Sequence, residues 1–341
     1  MIFITGANGW LGLNLIKSIV NGHSEKWGLK TKEITAIIKE GTSRTEINKI
    51  SPTIKIVHGN VSSPESINDI FKNAKDSLVI HTAAIIHPKK VSEFYQVNYQ
   101  GTKNILSCCE KYSVKKLILI SSNSPCGCNS NNMEQFNEQS PYRPYMNYGK
   151  SKMLMEMLAM DFYNKSKLDL TILRAPWFYG PFQPARQVLF YKMIQKGKVP
   201  LIGNGQNKRS MVFTENLVQG IILAATRKVS SGQIYWIADE EPYSMNEIIT
   251  TIENLLEKDF KIKCSGKRIR LPGIVSGISE ISDYLLQSLG MYNQKIHVLS
   301  EMNKNIICSI EQAKQDLNYS PSYTIHEGMR VSISEIIDNF H

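Results

Sequence analysis

The 341-residue chain has no uninterrupted apolar run near the roughly 18 residues that a membrane-crossing helix requires, so a bilayer-spanning segment is excluded. Its six cysteines, Cys108, Cys109, Cys126, Cys128, Cys264 and Cys308, show neither paired CxxC spacing nor a neighbouring histidine pattern. That argues against a zinc site or a disulfide scaffold, leaves reduced structural thiols, and gives no reason to expect a metal. Internal repeats and low-complexity tracts are absent too, which sets aside solenoids and long disordered linkers. Although the formal net charge is +10, there is no basic block interleaved with aromatics, the usual footprint of nucleic-acid binding. Cations dispersed in this way suit an anionic small-molecule ligand better. The first strand-like run begins at Ile2, with no room ahead of it for a targeting leader, so a cytoplasmic location without stable membrane insertion is expected.

What is present is a chain 42% apolar and 21% charged, enough for one large core or two modest ones. Short β-branched runs alternate with longer helical stretches in its first half, the pattern of βαβ units feeding a parallel sheet. Strands are predicted at 2–5, 34–38, 54–57, 78–81, 117–121 and 169–174, and helices at 10–21, 64–73, 92–111 and 146–166. The fold class is therefore α/β, a Rossmann-type doubly wound parallel sheet. After Arg174, the crowding of Pro176, Gly180, Pro181 and Pro184 marks a change of texture. We place the dinucleotide-binding domain at 1–175 and a smaller substrate-binding region, partly interleaved with it, at 176–341. The amphipathic stretch 271–291 is read as a helix whose apolar stripe faces the core.

Strand 2–5 runs into Gly6-Ala7-Asn8-Gly9-Trp10-Leu11-Gly12 and then a helix. Glycines at such a turn let the backbone approach a pyrophosphate, whose charge sits at the positive end of the helix. Gly6, Asn8, Gly9, Trp10, Leu11 and Gly12 are thus candidate cofactor contacts. At the end of the second strand stand Lys39, Glu40 and, close behind, Arg44. A basic side chain at that place meets a 2′-phosphate, which favours NADP over NAD.

Tyr148 and Lys152 are spaced i, i+4 on one face of a helix, so that a cation can lower the phenol's pKa and make it an acid/base near neutrality. The same spacing recurs at Tyr99/Lys103, Tyr112/Lys116 and Tyr163/Lys167. Only Tyr148/Lys152 opens a helix after a Pro-containing loop and follows a serine-bearing strand end, Ser121-Ser122-Asn123-Ser124. Hydroxyls there can polarise a substrate oxygen that the tyrosine protonates or deprotonates.

Taken together, Thr5-Gly6…Gly9…Gly12, His81-Thr82-Ala83-Ala84, Asn98 with Gly101-Thr102, Ser122, Tyr148/Lys152 and Arg174-Ala-Pro-Trp-Phe-Tyr-Gly-Pro181 resemble the NAD-dependent epimerase/dehydratase family, the extended branch of the short-chain dehydrogenases. The likeness continues through Gly203-Asn-Gly205, Arg209 and Glu215-Asn216 to Leu317-Asn-Tyr-Ser-Pro321. It implies that Ser122 assists the substrate oxygen, Tyr148 is the acid/base, Lys152 holds the nicotinamide ribose and lowers the tyrosine pKa, and Asn98 supports a proton relay. Ala83, Ala84 and Pro176 are further candidate cofactor contacts; Ser124, Trp177 and Arg209 are candidate substrate contacts. The 4,6-dehydratases carry an Asp-Glu pair where this chain has Asn123 and Ser124, so dehydration is not expected. Trp177 replaces an asparagine common among sugar-nucleotide members, whereas Asn207-Lys208-Arg209-Ser210 resembles their substrate-binding segment. The expected enzyme acts on a nucleotide-diphosphate sugar as a 4-epimerase or 4-ketoreductase, with a homodimer as the assembly. The rival readings are a 3β-hydroxysteroid-type dehydrogenase on an apolar alcohol and a non-catalytic dinucleotide-binding scaffold.

Overall fold

The computed structural model describes residues 1–340 except Asn132 and Lys167, and the side chain of Asn339 is left aside. Its centre is a parallel sheet of β1 (Ile2–Thr5), β2 (Ile34–Ile38), β3 (Lys55–His58), β4 (Leu78–His81), β5 (Lys116–Ser122), β6 (Asp169–Ala175) and a seventh strand, Ile234–Trp236. The spatial order is seventh strand, β6, β5, β4, β1, β2, β3. Every residue of β1 and β2 is buried, because helices cover both faces and an apolar side chain is needed on each. At the edge, β3 exposes Lys55 and His58 at its two ends, which discourages further pairing. Predicted and observed strands differ by a residue or two at most: 54–57 becomes Lys55–His58 and 117–121 becomes Lys116–Ser122.

Chain order reverses beside β1, whose neighbours are β2 on one side and β4 on the other. A parallel sheet opens a crevice at the carboxyl ends of the strands at such a switch point. Thr5, His81 and Ser122 end the three strands around it.

One helix departs from expectation. The stretch 92–111 is not uniform: Ser92–Phe94 leads into a π-helical turn, Tyr95–Gln100, before Gly101–Lys111. The cause is tertiary. Asn98 is buried and bonded through its side chain to both backbone groups of Ile85 and to Ser151 Oγ, contacts that hold one extra residue in the turn.

The boundary at 175/176 is crossed by the chain itself. Helix Thr214–Thr226 packs on α1 (Trp10–Val20), and the seventh strand pairs with β6, so both belong to the main core. A second core gathers Tyr179, Tyr191, Met211, Phe213, Ile248 and Met329.

The reading of 271–291 as core-facing is corrected. Helix Ile274–Ser288 forms, but its apolar positions face outward: Ile274 is 70% exposed, Ile281 65% and Leu289 73%. Its buried positions are Ser276, Asp283 and Gln287. Periodicity had identified an amphipathic helix without saying which face meets water.

Trp236 is fully buried, stacks on Phe136 with ring centroids 5.7 Å apart and lies 5.5 Å from the Arg174 guanidinium. Trp236→Ala should therefore cost about 3–5 kcal/mol in urea-unfolding free energy. A loss under about 1 kcal/mol would show that this strand is not integral to the core.

Candidate active site

The crevice floor is a chain of hydrogen bonds whose directions can be deduced. The Thr102 hydroxyl donates to the Asn98 carbonyl at 2.7 Å, since a carbonyl only accepts. It must then accept from His81 Nε2, 3.1 Å away. Burial and the nearby Lys152 charge hold the His81 pKa down to about 3, so the ring is neutral and its Nδ1 accepts from the Thr5 hydroxyl at 2.7 Å. Thr5 in turn accepts from the Ala83 backbone N–H.

On that floor the glycine turn is packed too tightly for side chains. A Cβ on Gly6, which has φ 65°, would lie 2.8 Å from the Ala83 backbone, and one on Gly12 would lie 2.5 Å from the Gly6 carbonyl. Gly9 caps α1 with no side-chain hydrogen bond and is exposed. The backbone amides of the first turn, Trp10, Leu11 and Gly12, have no helical carbonyl ahead of them. This is a cradle that fits a pyrophosphate. Trp10 contributes through its backbone, because its indole N–H donates to the Pro181 carbonyl at 2.7 Å and its ring lies against Phe178. Asn8 and Ala83 are half-buried and Ala84 is exposed at the rim, while Pro176 is buried beneath it. Lys39 and Arg44 are exposed beyond β2, with Arg44 Nη2 3.4 Å from His58 Nε2.

Helix Met146–Lys165 delivers the catalytic candidates. It enters against the strand-end loop so closely that a Cβ on Gly149 would lie 2.4 Å from the Ser124 carbonyl. The Ser122 hydroxyl, which accepts from the Ser124 N–H at 3.3 Å, lies close enough to the Tyr148 phenol to act on its proton affinity. Lys152 is buried and donates to the Ile120 carbonyl at 2.7 Å. Burial depresses its pKa to about 8, with Glu156 pulling the other way.

The phenol behaves differently from expectation. Burial raises the Tyr148 pKa, and the groups that oppose the rise are Ser122 and Arg186. The Lys152 ammonium is instead turned to the Ile120 carbonyl, at the end of β5.

Below Lys152, Glu156 is fully buried and bound by Arg174 at 2.8 Å, Tyr142 at 2.9 Å and Ser121. The substrate candidates stand apart. Ser124 packs under the helix start, Trp177 meets Phe190 edge-on at the second core, and buried Arg209 donates to the Glu301 carbonyl. Of the other Tyr/Lys pairs, Lys116 is bound to Asp169 and Ser230 and Lys103 is exposed, while Lys167 lies outside the described residues.

Sequence reasoning missed four residues around Tyr148. Arg186 acts electrostatically on the Tyr148 and Tyr292 phenols and on His87. His87 Nδ1 lies 2.7 Å from the Tyr292 hydroxyl, and Phe94 fills the space between Tyr148 and Tyr292, with ring centroids 5.7 and 5.4 Å away. His87 follows the carboxyl end of β4, a position that could have been flagged. Tyr292 carries no local signal.

The model of the NAD dependent epimerase/dehydratase family matches residues 2–238. This chain belongs to that family. It is an enzyme family of the extended short-chain dehydrogenase type, dependent on a nicotinamide dinucleotide. The uncharacterized protein y4nL of Sinorhizobium fredii is 42% identical over 342 residues, covering 99% of this chain and 96% of that protein. An N-acetyl-α-D-glucosaminyl-diphospho-ditrans,octacis-undecaprenol 4-epimerase of Escherichia coli O157:H7 is 28% identical over 245 residues, 70% of each chain. A dTDP-glucose 4,6-dehydratase of Streptomyces venezuelae, solved with NAD bound, shares the fold with a TM-score of 0.79 at 19% identity, over 99% of this chain and 97% of that one.

The Lys152 environment has a pH signature. Its folded pKa, about 8, is below that of a free lysine, so between pH 8 and 10.5 the unfolded chain binds more protons and stability rises with pH. Lys152→Met removes this dependence. The stability of the variant relative to the parent should thus be highest near pH 7 and decline as pH rises toward 10.5, measured by urea unfolding. A difference that stays flat across that range would contradict a buried ammonium at this site.

Proposed function

We propose that this enzyme moves hydride to and from a secondary alcohol carbon of a nucleoside diphosphate sugar, as a 4-epimerase or 4-ketoreductase. The observation that carries the reading is that Ser122 at the end of β5, with Tyr148 and Lys152 on the helix over it, opens on the same carboxyl edge of the sheet as the glycine cradle at the end of β1. The dinucleotide supplies the hydride acceptor or donor at C4 of its nicotinamide. The Tyr148 phenol gives a proton to the substrate oxygen on reduction and takes one on oxidation. Ser122, beside that phenol, holds the same oxygen. Lys152 offers its ammonium to the ribose. Asn98 acts as a positioning residue, clamping Ile85 at the crevice rim and Ser151 beside Lys152.

The diphosphate sugar is supported by a cation on the Tyr148 side of the crevice, Arg186. An apolar alcohol gives Arg186 nothing to bind. The solved neighbour is named for a nucleoside diphosphate hexose, and the relative for a hexosamine joined through a diphosphate to a polyprenol, so a diphosphate-linked sugar is common to both names. Dehydration is disfavoured because Asn123 and Ser124 provide no carboxylate after Ser122. For the cofactor we infer NADP over NAD, on the exposed Lys39 and Arg44 beyond β2.

Tyr148→Phe should lower turnover 10²–10⁴-fold while leaving dinucleotide affinity unchanged, as expected for loss of one acid/base oxygen. The measurement is conversion of UDP-, GDP- and dTDP-hexoses, followed by cofactor absorbance and by the configuration of the product. If none of the three is converted or shifts the melting temperature of the cofactor-saturated protein, the sugar-nucleotide reading fails.

Lys39→Ala should weaken NADP binding several-fold and leave NAD binding unchanged, and added salt should reduce the NADP preference of the parent. A parent that binds NAD more tightly than NADP, or a variant with both affinities intact, would overturn the cofactor assignment.

A further inference from the structure

We propose that the outer face of helix Ile274–Ser288 docks this enzyme onto an anionic membrane surface. The proposal stands on the surface alone and does not depend on the substrate. Ile274, Ile278, Ile281 and Leu285 follow helical spacing along one face and are 70, 58, 65 and 55% exposed; Tyr284 and Leu289, at 64 and 73%, widen the stripe. Large apolar side chains exposed side by side along one helix face mark an interaction surface.

Charge indicates the occupant. The strand Ile269–Leu271, which leads into the helix, brings exposed Lys267 and Arg270 to one end of the stripe. At the other end the Val91 N–H bonds the Gly290 carbonyl and Lys90 bridges to Met291, which brings exposed Lys89 and Lys90 beside exposed Lys295. The helix's own carboxylates do not oppose them: Asp283 is buried on His297, and Glu280 is paired with Lys304. An apolar face with cations at both ends matches an interface of acyl chains and anionic headgroups. A second copy of the chain fits poorly, because pairing two such helices, parallel or antiparallel, sets cations against cations.

The inner face of the same helix holds the site. Gln287 accepts from both the backbone and side-chain amides of Asn147, the residue before Tyr148, and donates to Asp283. Docking would therefore place the substrate side of the crevice at the bilayer.

The test is co-sedimentation of the full chain with phosphatidylcholine vesicles, with and without phosphatidylglycerol. The parent should pellet with the anionic vesicles and be released by salt. Ile278→Asp/Ile281→Asp, at exposed positions, should bind at least about tenfold more weakly with melting temperature and dinucleotide affinity unchanged. Lys267→Glu/Arg270→Glu, which leaves the apolar stripe intact, should lose binding to the anionic vesicles as well. A parent that stays in solution with both vesicle types overturns the proposal, as does equal binding by all three proteins. A vesicle-independent dimer that Ile278→Asp/Ile281→Asp splits into monomers would assign the face to a second copy and sink the membrane reading.

Discussion

The Arg174–Glu156 pair sets the geometry on which the candidate site depends. Removing two charges from water costs several kcal/mol per ion, and the cost is offset only where geometry and extra hydrogen bonds are good. Here Glu156 takes donors from Arg174 on β6, Ser121 on β5 and Tyr142 in the loop before its own helix. Three separate pieces of chain thus hold one carboxylate, and they fix the rotation of helix Met146–Lys165. Four residues back, Lys152 is aimed at the Ile120 carbonyl; eight back, Tyr148 is aimed at Ser122. The pair's value lies in this register more than in net stability.

The electrostatics follow from the same arrangement. Lys152 is buried, yet Glu156 one turn away limits the fall of its pKa, so the ammonium remains mostly charged near neutrality. Tyr148 is protonated, because burial outweighs Ser122 and Arg186. The phenol therefore carries its proton at neutral pH and can give it up as an acid. Any added positive charge above the phenol would move it toward a base, and Arg186 is the residue positioned to add to that effect.

How much of this was legible in the sequence depended on range. β1, α1 and the glycine turn rest on local pattern and steric demand, and they stand where the sequence placed them. The features that distinguish Tyr148 from three look-alike pairs, its entry loop and the serine strand end, are local too. The π-turn at Tyr95–Gln100 was not legible, because it depends on Asn98 reaching Ile85 and Ser151, the latter 53 residues away. His87 and Tyr292 meet across 205 residues, a contact no periodicity encodes.

The outward stripe on Ile274–Ser288 is the most instructive case, because its explanation is polar. Ser276 bonds the Ser300 carbonyl, Asp283 holds His297, and Gln287 holds Asn147, so the inner face must be hydrophilic to complete the wall over Tyr148. A helix with only one polar face can present it to water or to the protein. Here the buried network claims it, since His297, Asp283 and the Asn147 amides would otherwise be buried polar groups without partners. The apolar face is left outside by that choice, which means that the hold on Asn147, next to Tyr148, and the exposed apolar outer surface are two consequences of one amphipathic segment.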